Sequence, residues 1–291
     1  MKQVFLYVVT VVIWGATWIA IKFQLGPVDP MVSVIYRFGL AAGLLFIFCR
    51  ARGLTLKFSP RDHMFMALMG LLLFSMNYWL VYLAEVHLTS GLVAVLFSSI
   101  VFFNMANNAL FLGTSVDRKT IVGALAGIVG IILIFMPEIR SFDAGNKGLT
   151  GIGLGFFSVF LASLGNITSA RNTREKIPVI QANAFGMAYG TLALTLLALL
   201  MGKKFGFSFS LPYTGSLLFL SVFGSIVAFG TYLTLVGTMG ADKAAYAIMV
   251  VPVVALVISS FAEGYVWTVP AVAGLALVVG GNFLALAKRP G

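Results

Sequence analysis

The sequence predicts an all-α integral membrane protein of ten transmembrane helices, arranged as two inverted five-helix repeats around a central cavity. Three observations carry this reading. The composition is too apolar for a soluble domain, apolar runs alternate with basic joints along the chain, and a block near the third run returns 150 positions later.

Of 291 residues, 60% are apolar and only 10% charged, and the mean hydropathy is +1.03. Soluble domains carry about 45–50% apolar and about 25% charged residues. A chain of this length cannot enclose so large an apolar core. The net charge of +10 would suit nucleic acid if the basic residues formed a patch. They stand instead in short clusters between apolar runs, which is how membrane topology is written, so no nucleic-acid partner is expected. Cys49 is the one cysteine, which excludes an internal disulfide and any cysteine-based metal motif.

Spanning a bilayer takes about 20 residues per helix. Ten such runs fit, at 4–23, 31–50, 63–84, 90–112, 119–136, 150–170, 178–201, 212–236, 241–262 and 268–287. Breaker residues mark the joints: Gly26-Pro27, Pro30, Ser59-Pro60, Pro137, Pro178, Gly202 and Pro212. The first run is too long for a signal-peptide core and lacks a small-residue cleavage site, so it is expected to stay as the first helix. Ten spans put both termini on one face. On that face lie Lys2, Arg50, Arg52, Lys57, Arg61, Arg118, Lys119, Arg171, Arg174, Lys176, Lys243, Lys288 and Arg289. The other face has only Lys22, Arg140, Lys147, Lys203 and Lys204. That bias predicts cytoplasmic termini. Arg37 is the single basic residue inside a span.

The repeat is read from two blocks. "YLAEVHLTSGLVAVL" from Tyr82 is echoed by "YLTLVGTMGADKAAY" from Tyr232, and "GALAGIVG" from Gly123 by "GLALVVGG" from Gly274, one residue out of phase. The expected division is a first repeat over 1–138, an outer linker over 139–147 and a second repeat over 148–291. Five is odd, so the second copy enters the membrane from the opposite face, the arrangement that permits alternating access around a midplane site.

These residues carry a resemblance. "IWGATWIAIK", "DPMVSVIYRFGLA" and "FAEGYVWTVPAVAGLALVVGG" resemble the EamA repeat of the drug/metabolite transporter superfamily, in two copies over essentially the whole chain. Within it the aromatic-rich profile is most similar to the aromatic amino-acid exporters. The resemblance implies a central substrate cavity and passive or exchange-driven export of small metabolites. Two departures stand out: Gly113-Thr114 faces Glu263-Gly264 across the repeats, and Phe102 faces Pro252. The halves are therefore expected to do unequal work in gating.

Polar and aromatic residues at membrane depth are the candidate site, because each is costly there unless it faces protein or water. The stretch "VVTVVIWGATWIAIKFQLGP" over 8–27 places Trp14 and Trp18 mid-span, although tryptophan prefers the interfaces. Tyr78, Tyr82 and Glu85 form a third-helix stripe with Asn77 on its flank, and Glu85, like His87, is read as a solvated loop charge. Ser98 and Ser99 lie on the fourth helix, Asn166 on the sixth, Tyr232 on the eighth, and Tyr246 with Pro252 on the ninth. Trp14, Trp18, Tyr78 and Tyr82 are expected to contact a side chain, Ser98, Ser99 and Asn166 polar ends, and Tyr232 to mirror Tyr82. Pro252 is the candidate gate, where a helix break would expose carbonyls. The glycine spacings at 151–155, 39–43, 123–127 and 186–190 are expected to be packing seams.

No Asp or Glu falls mid-span, which argues against proton-coupled export of lipophilic cations. No cluster of intramembrane Lys and Arg awaits a sugar phosphate. An uncharged or zwitterionic solute remains, with an exporter of hydrophobic compounds or drugs as the alternative and a membrane enzyme as a remote one. His63 and His87 lie at opposite faces, so no enzyme, cofactor or metal site is expected. The expected partners are a small-molecule substrate and the bilayer, and a monomer is favoured.

Overall fold

The computed structural model describes residues 2–112, 118–137, 147–228, 230–232 and 241–286. Its helices are α1 (Lys2–Lys22), α2 (Pro30–Ala51), α3 (Pro60–His87), α4 in two parts (Ser90–Ser98 and Ile100–Leu112), α5 (Arg118–Ile134), α6 (Lys147–Arg174), α7 (Val179–Leu200), α8 (Leu211–Tyr232), α9 (Ala241–Ala262) and α10 (Val269–Leu286). The protein is an all-α, multi-pass membrane protein. Among the described residues seven helices are long and apolar enough to cross a bilayer by themselves, while Ile121–Ile134, Val250–Ala262 and Val269–Leu284 are shorter apolar stretches.

The breaker residues act as expected. Asp29 accepts from the Met31 amide at 2.8 Å, with Pro30 opening α2, which satisfies an orphan amide where proline itself needs no partner. Ser59 does the same for Asp62, ahead of Pro60. Gly26 (φ 100°) and Gly202 (φ 64°) turn the chain in the left-handed region that other residues avoid. Helices α3 and α6 overrun their predicted ends because polar partners extend them beyond the apolar run. Arg171 reaches Asp62 at 3.3 Å there.

The packing repeats. Helices α5 and α10, α2 and α7, and α4 and α9 pack as counterparts. Several further contacts come in exchanged pairs: α1 on α9 and α6 on α4, α3 on α6 and α8 on α1, α2 on α8 and α7 on α3. A π-helical segment interrupts α3 at Gly70–Met76 and α8 at Phe219–Val227, the same place in each half. Such segments are frequent at functional bends. At the first one, Gly70 lies against the backbone of Gly186 and Gly190, so that predicted seam is real. The 39–43 spacing is not a seam, since nothing lies within 4 Å of a Cβ built on Gly43. The core draws mostly on α1, α2, α3, α4 and α7 and also takes in Ile131 and Ile134 of α5, Leu220 of α8, Leu256 of α9 and Leu275 and Val278 of α10, while Ile121, Val122, Leu125, Ile128, Val129 and Ile132 of α5 face outward, as lipid contact requires.

Candidate functional site

On α1, tryptophans four residues apart share a face. The Trp14 ring lies 5.2 Å from that of Tyr232 on α8, and the Trp18 ring 5.4 Å from that of Phe97 on α4. Both pairs are tilted, at 47° and 57°, within the range of favourable aromatic geometry. Between the indoles, Thr17 donates to the Trp14 carbonyl at 2.7 Å, which turns its methyl group toward Gly224 of α8. One turn nearer the N terminus, the Thr10 and Thr231 hydroxyls meet at 2.8 Å.

The α3 stripe behaves unevenly. Tyr78 lies beneath the Arg37 guanidinium, 4.6 Å from ring centroid to carbon, and 4.7 Å from the Phe38 ring. Tyr82 is fully buried and donates to the Gln24 side chain at 2.6 Å. Asn77 donates to the Leu73 carbonyl at 3.1 Å, leaving its buried carbonyl oxygen without a hydrogen-bond partner. Ser98 and Ser99 spend their hydroxyls on the carbonyls of Val95 and Leu96, both at 2.6 Å, where α4 breaks. Asn166 donates to Asn104 at 3.3 Å, joining α6 to α4. Pro252 is buried inside a continuous α9. The Tyr246 side chain lies outside the described residues.

Sequence reasoning missed the charged end of this assembly. Glu85, expected in a solvated loop, is fully buried in the last turn of α3, and neither carboxylate oxygen has a hydrogen-bond partner. The reason is tertiary: Lys22 of α1 donates to the Glu85 and Leu88 carbonyls, the latter at 2.9 Å, and holds the end of α3 against α1. Lys22 also lies 3.7 Å from Glu263. Glu263 accepts from the Ser90 amide at 3.0 and 3.1 Å, from the Ser90 hydroxyl, and from Ser259 at 2.8 Å. One cluster thus ties α1, α3, α4 and α9 together at the end of α1 remote from its N terminus. Its sequence signal was the Tyr78–Tyr82–Glu85 spacing, which places the carboxylate on the buried face. Among the described residues no group of three His, Cys, Asp or Glu could hold a metal ion.

Two stretches of the chain, 1–136 and 149–287, match the model of the EamA-like transporter family. The chain belongs to that family. Relatives of this EamA protein include PagO of Salmonella typhimurium, 23% identical over 98% of this chain and 92% of PagO. The inner membrane transporter YedA of Escherichia coli is 29% identical over 86% of this chain and 79% of YedA. The transporter YvbV of Bacillus subtilis is 27% identical over 92% and 86%. A crystal structure covering 97% of the chain superposes with a TM-score of 0.70 at 15% identity, a likeness of fold. As an EamA-family member built, among its described residues, of apolar helices, the protein is a membrane transporter.

Proposed function

We propose that the protein exports amino acids, aromatic ones among them, and similar small metabolites by alternating access. The solute moves down its gradient or in exchange. The observation that carries this reading is the pairing of each α1 indole with a ring on a different helix, Trp14 with Tyr232 and Trp18 with Phe97. Rings contributed by α1, α4 and α8 can open and close on a flat side chain as those helices shift. Asn166 with Asn104 supplies polar contacts, Tyr246 a further ring, and Pro252 a bend for gating. The two moving units are residues 1–138 and 148–291, joined by 139–147.

Transport is uncoupled from protons in this reading. Glu85, although buried, stands level with Lys22, eight residues beyond Trp14, which is about 12 Å along the helix axis. The membrane is the plasma membrane (inner, in bacterial terms), with both termini cytoplasmic. An impermeant thiol reagent added outside should then label a cysteine at Phe205 and spare one at Leu56, and the reverse pattern would invert the topology.

The deciding experiment is counterflow of labelled amino acids in proteoliposomes. Uptake driven by internal unlabelled tryptophan or phenylalanine, indifferent to an imposed pH difference, is the expected result. Exchange of hydrophobic drugs without amino-acid exchange would favour the alternative cargo.

A further inference from the structure

We propose that Arg37 is the anchor for a monoanionic group, the carboxylate of the transported solute. The inference rests on the transport reading above and names the chemistry of one end of its cargo. Arg37 sits on α2 and is 2% exposed. Its Nε and Nη1 are buried without any hydrogen-bond partner, and among the described residues no carboxylate pairs with it. What holds the guanidinium is aromatic: the rings of Tyr78 at 4.6 Å and Phe38 at 5.0 Å. Rings compensate for lost hydration on the face of a guanidinium; the Tyr82 hydroxyl also lies against it, and Nε and Nη1 remain unused. A buried cation with idle donors is expensive in a membrane, and such residues mark ligand pathways.

Beside it α8 packs closely against α1 and α2, at Gly224. A Cβ built on Gly224 would come to 2.8 Å from the Thr17 methyl and 3.6 Å from Arg37 Nη2. Glycine at 224 therefore keeps side-chain bulk away from the guanidinium edge, on the side of Thr17, which lies between the two indoles in sequence. A carboxylate bound in the plane of the guanidinium accepts two parallel N–H bonds, and a ring attached to it can reach Trp14 or Trp18. The serines expected to bind polar ends are already committed, since Ser98 and Ser99 donate to their own helix. Arg37 fills the role they leave. Because it is the single basic residue inside a span, the site suits one negative charge and not a phosphate dianion.

The test compares acids with their amides. Wild-type protein in detergent is melted with tryptophan, tryptophanamide, indole-3-propionate or its amide, and the same compounds compete in counterflow. The acids should stabilise and compete at least tenfold better than the amides. Arg37→Gln should erase that ratio and leave amide affinity unchanged, with Arg37→Lys intermediate. Equal potency of acid and amide on the wild type overturns the anchor without requiring any variant to fold. So does a retained ratio in a folded Arg37→Gln protein, or a wild type that binds none of the carboxylates. If indole-3-propionate binds through Arg37 and tryptophan does not, the anchor stands and the amino-acid reading falls.

Discussion

At the crossing of α5 and α10 the two halves make one contact twice. A Cβ on Gly130 would lie 2.5 Å from the Gly274 carbonyl oxygen, and one on Gly274 would lie 2.5 Å from that of Gly130. Gly281 meets Gly123 in the same way, and shifting by the 151-residue repeat exchanges these two contacts. At the far end of α1 nothing is repeated. Arg37 stands seven residues after Pro30, and the same count from Pro178 gives Phe185. Glu85 corresponds to Leu235, and Glu263 to Gly113, at the 150-residue spacing. Symmetry is thus kept where backbones touch and abandoned where charge is buried. A seam of glycines depends only on shape, which both copies can share. A charged cluster at one end makes that end different from the other, so the two ends of the bundle can open with different ease.

The glycine crossing gives the largest expected effect. In Gly130→Val or Gly274→Val the new side chain drives into an opposing carbonyl, with no flexible group to yield. Overpacking of this kind costs about 1–3 kcal/mol and more when backbone must move, and in a membrane the freed carbonyls find no water. Both variants should lose yield and melt well below wild type, with every solute affected alike. Gly43→Ala, facing open space, should melt at or slightly above wild type, since alanine is about 1 kcal/mol better than glycine inside a helix. Equal behaviour of the two sites in a detergent melt would remove the crossing as the fixed element.

The charged end should respond more selectively. Glu263→Gln keeps an acceptor for Ser90 and Ser259 but deletes the attraction to Lys22 across 3.7 Å. Hydrogen bonds to charged groups are worth about 1.5–3 kcal/mol, and Lys22 and Glu263 are partly solvated, at 28% and 10% exposure. The realistic loss is about 1 kcal/mol, a five- to tenfold shift between closed and open forms of this end. A cysteine at Thr89 should therefore react several-fold faster with a thiol reagent in the Glu263→Gln background, with the global melting point nearly unchanged. An unaltered labelling rate would mean that the cluster braces the fold and gates nothing.

Much of this fold was legible because membrane helices obey simple rules. Apolar length located the helices, seven of them among the described residues long enough to span alone, and Pro30 and Ser59-Pro60 fixed where two of them begin. The repeat announced itself through Tyr82 and Tyr232 and through the glycine blocks from Gly123 and Gly274, one residue out of phase with them. The candidate site was legible in part. Trp14 and Trp18 drew notice because their depth was wrong for tryptophan, and Tyr232, the ring that meets Trp14, was already among the candidates on the eighth helix. The charged cluster was not legible, since burial of Glu85 depends on where Lys22 and Glu263 arrive from other helices, separated from it by 63 and 178 positions. Nor could the sequence say that Ser98 and Ser99 would turn their hydroxyls inward to α4, a local choice open to any helical serine.

The smallest effect sharpens the comparison most, because it separates recognition from packing on one helix. Trp14→Ala removes the partner of Tyr232, and Trp18→Ala that of Phe97. An aromatic pair contributes about 0.5–1.5 kcal/mol beyond its burial, so loss of stacking on a substrate ring should weaken apparent affinity several-fold and not abolish transport. The loss should be larger for tryptophan and phenylalanine than for threonine, which has no ring. If Trp14 and Trp18 were packing residues only, their removal would lower yield and melting temperature and depress all solutes together. The informative quantity is therefore a ratio, aromatic flux over threonine flux, measured on variants that melt like the wild type. A fall in that ratio for both variants would place recognition on the asymmetric side of the molecule, beside Arg37. An unchanged ratio would return both indoles to the core of α1, and would leave Arg37 and Asn166 to recognise a solute by its polar groups alone.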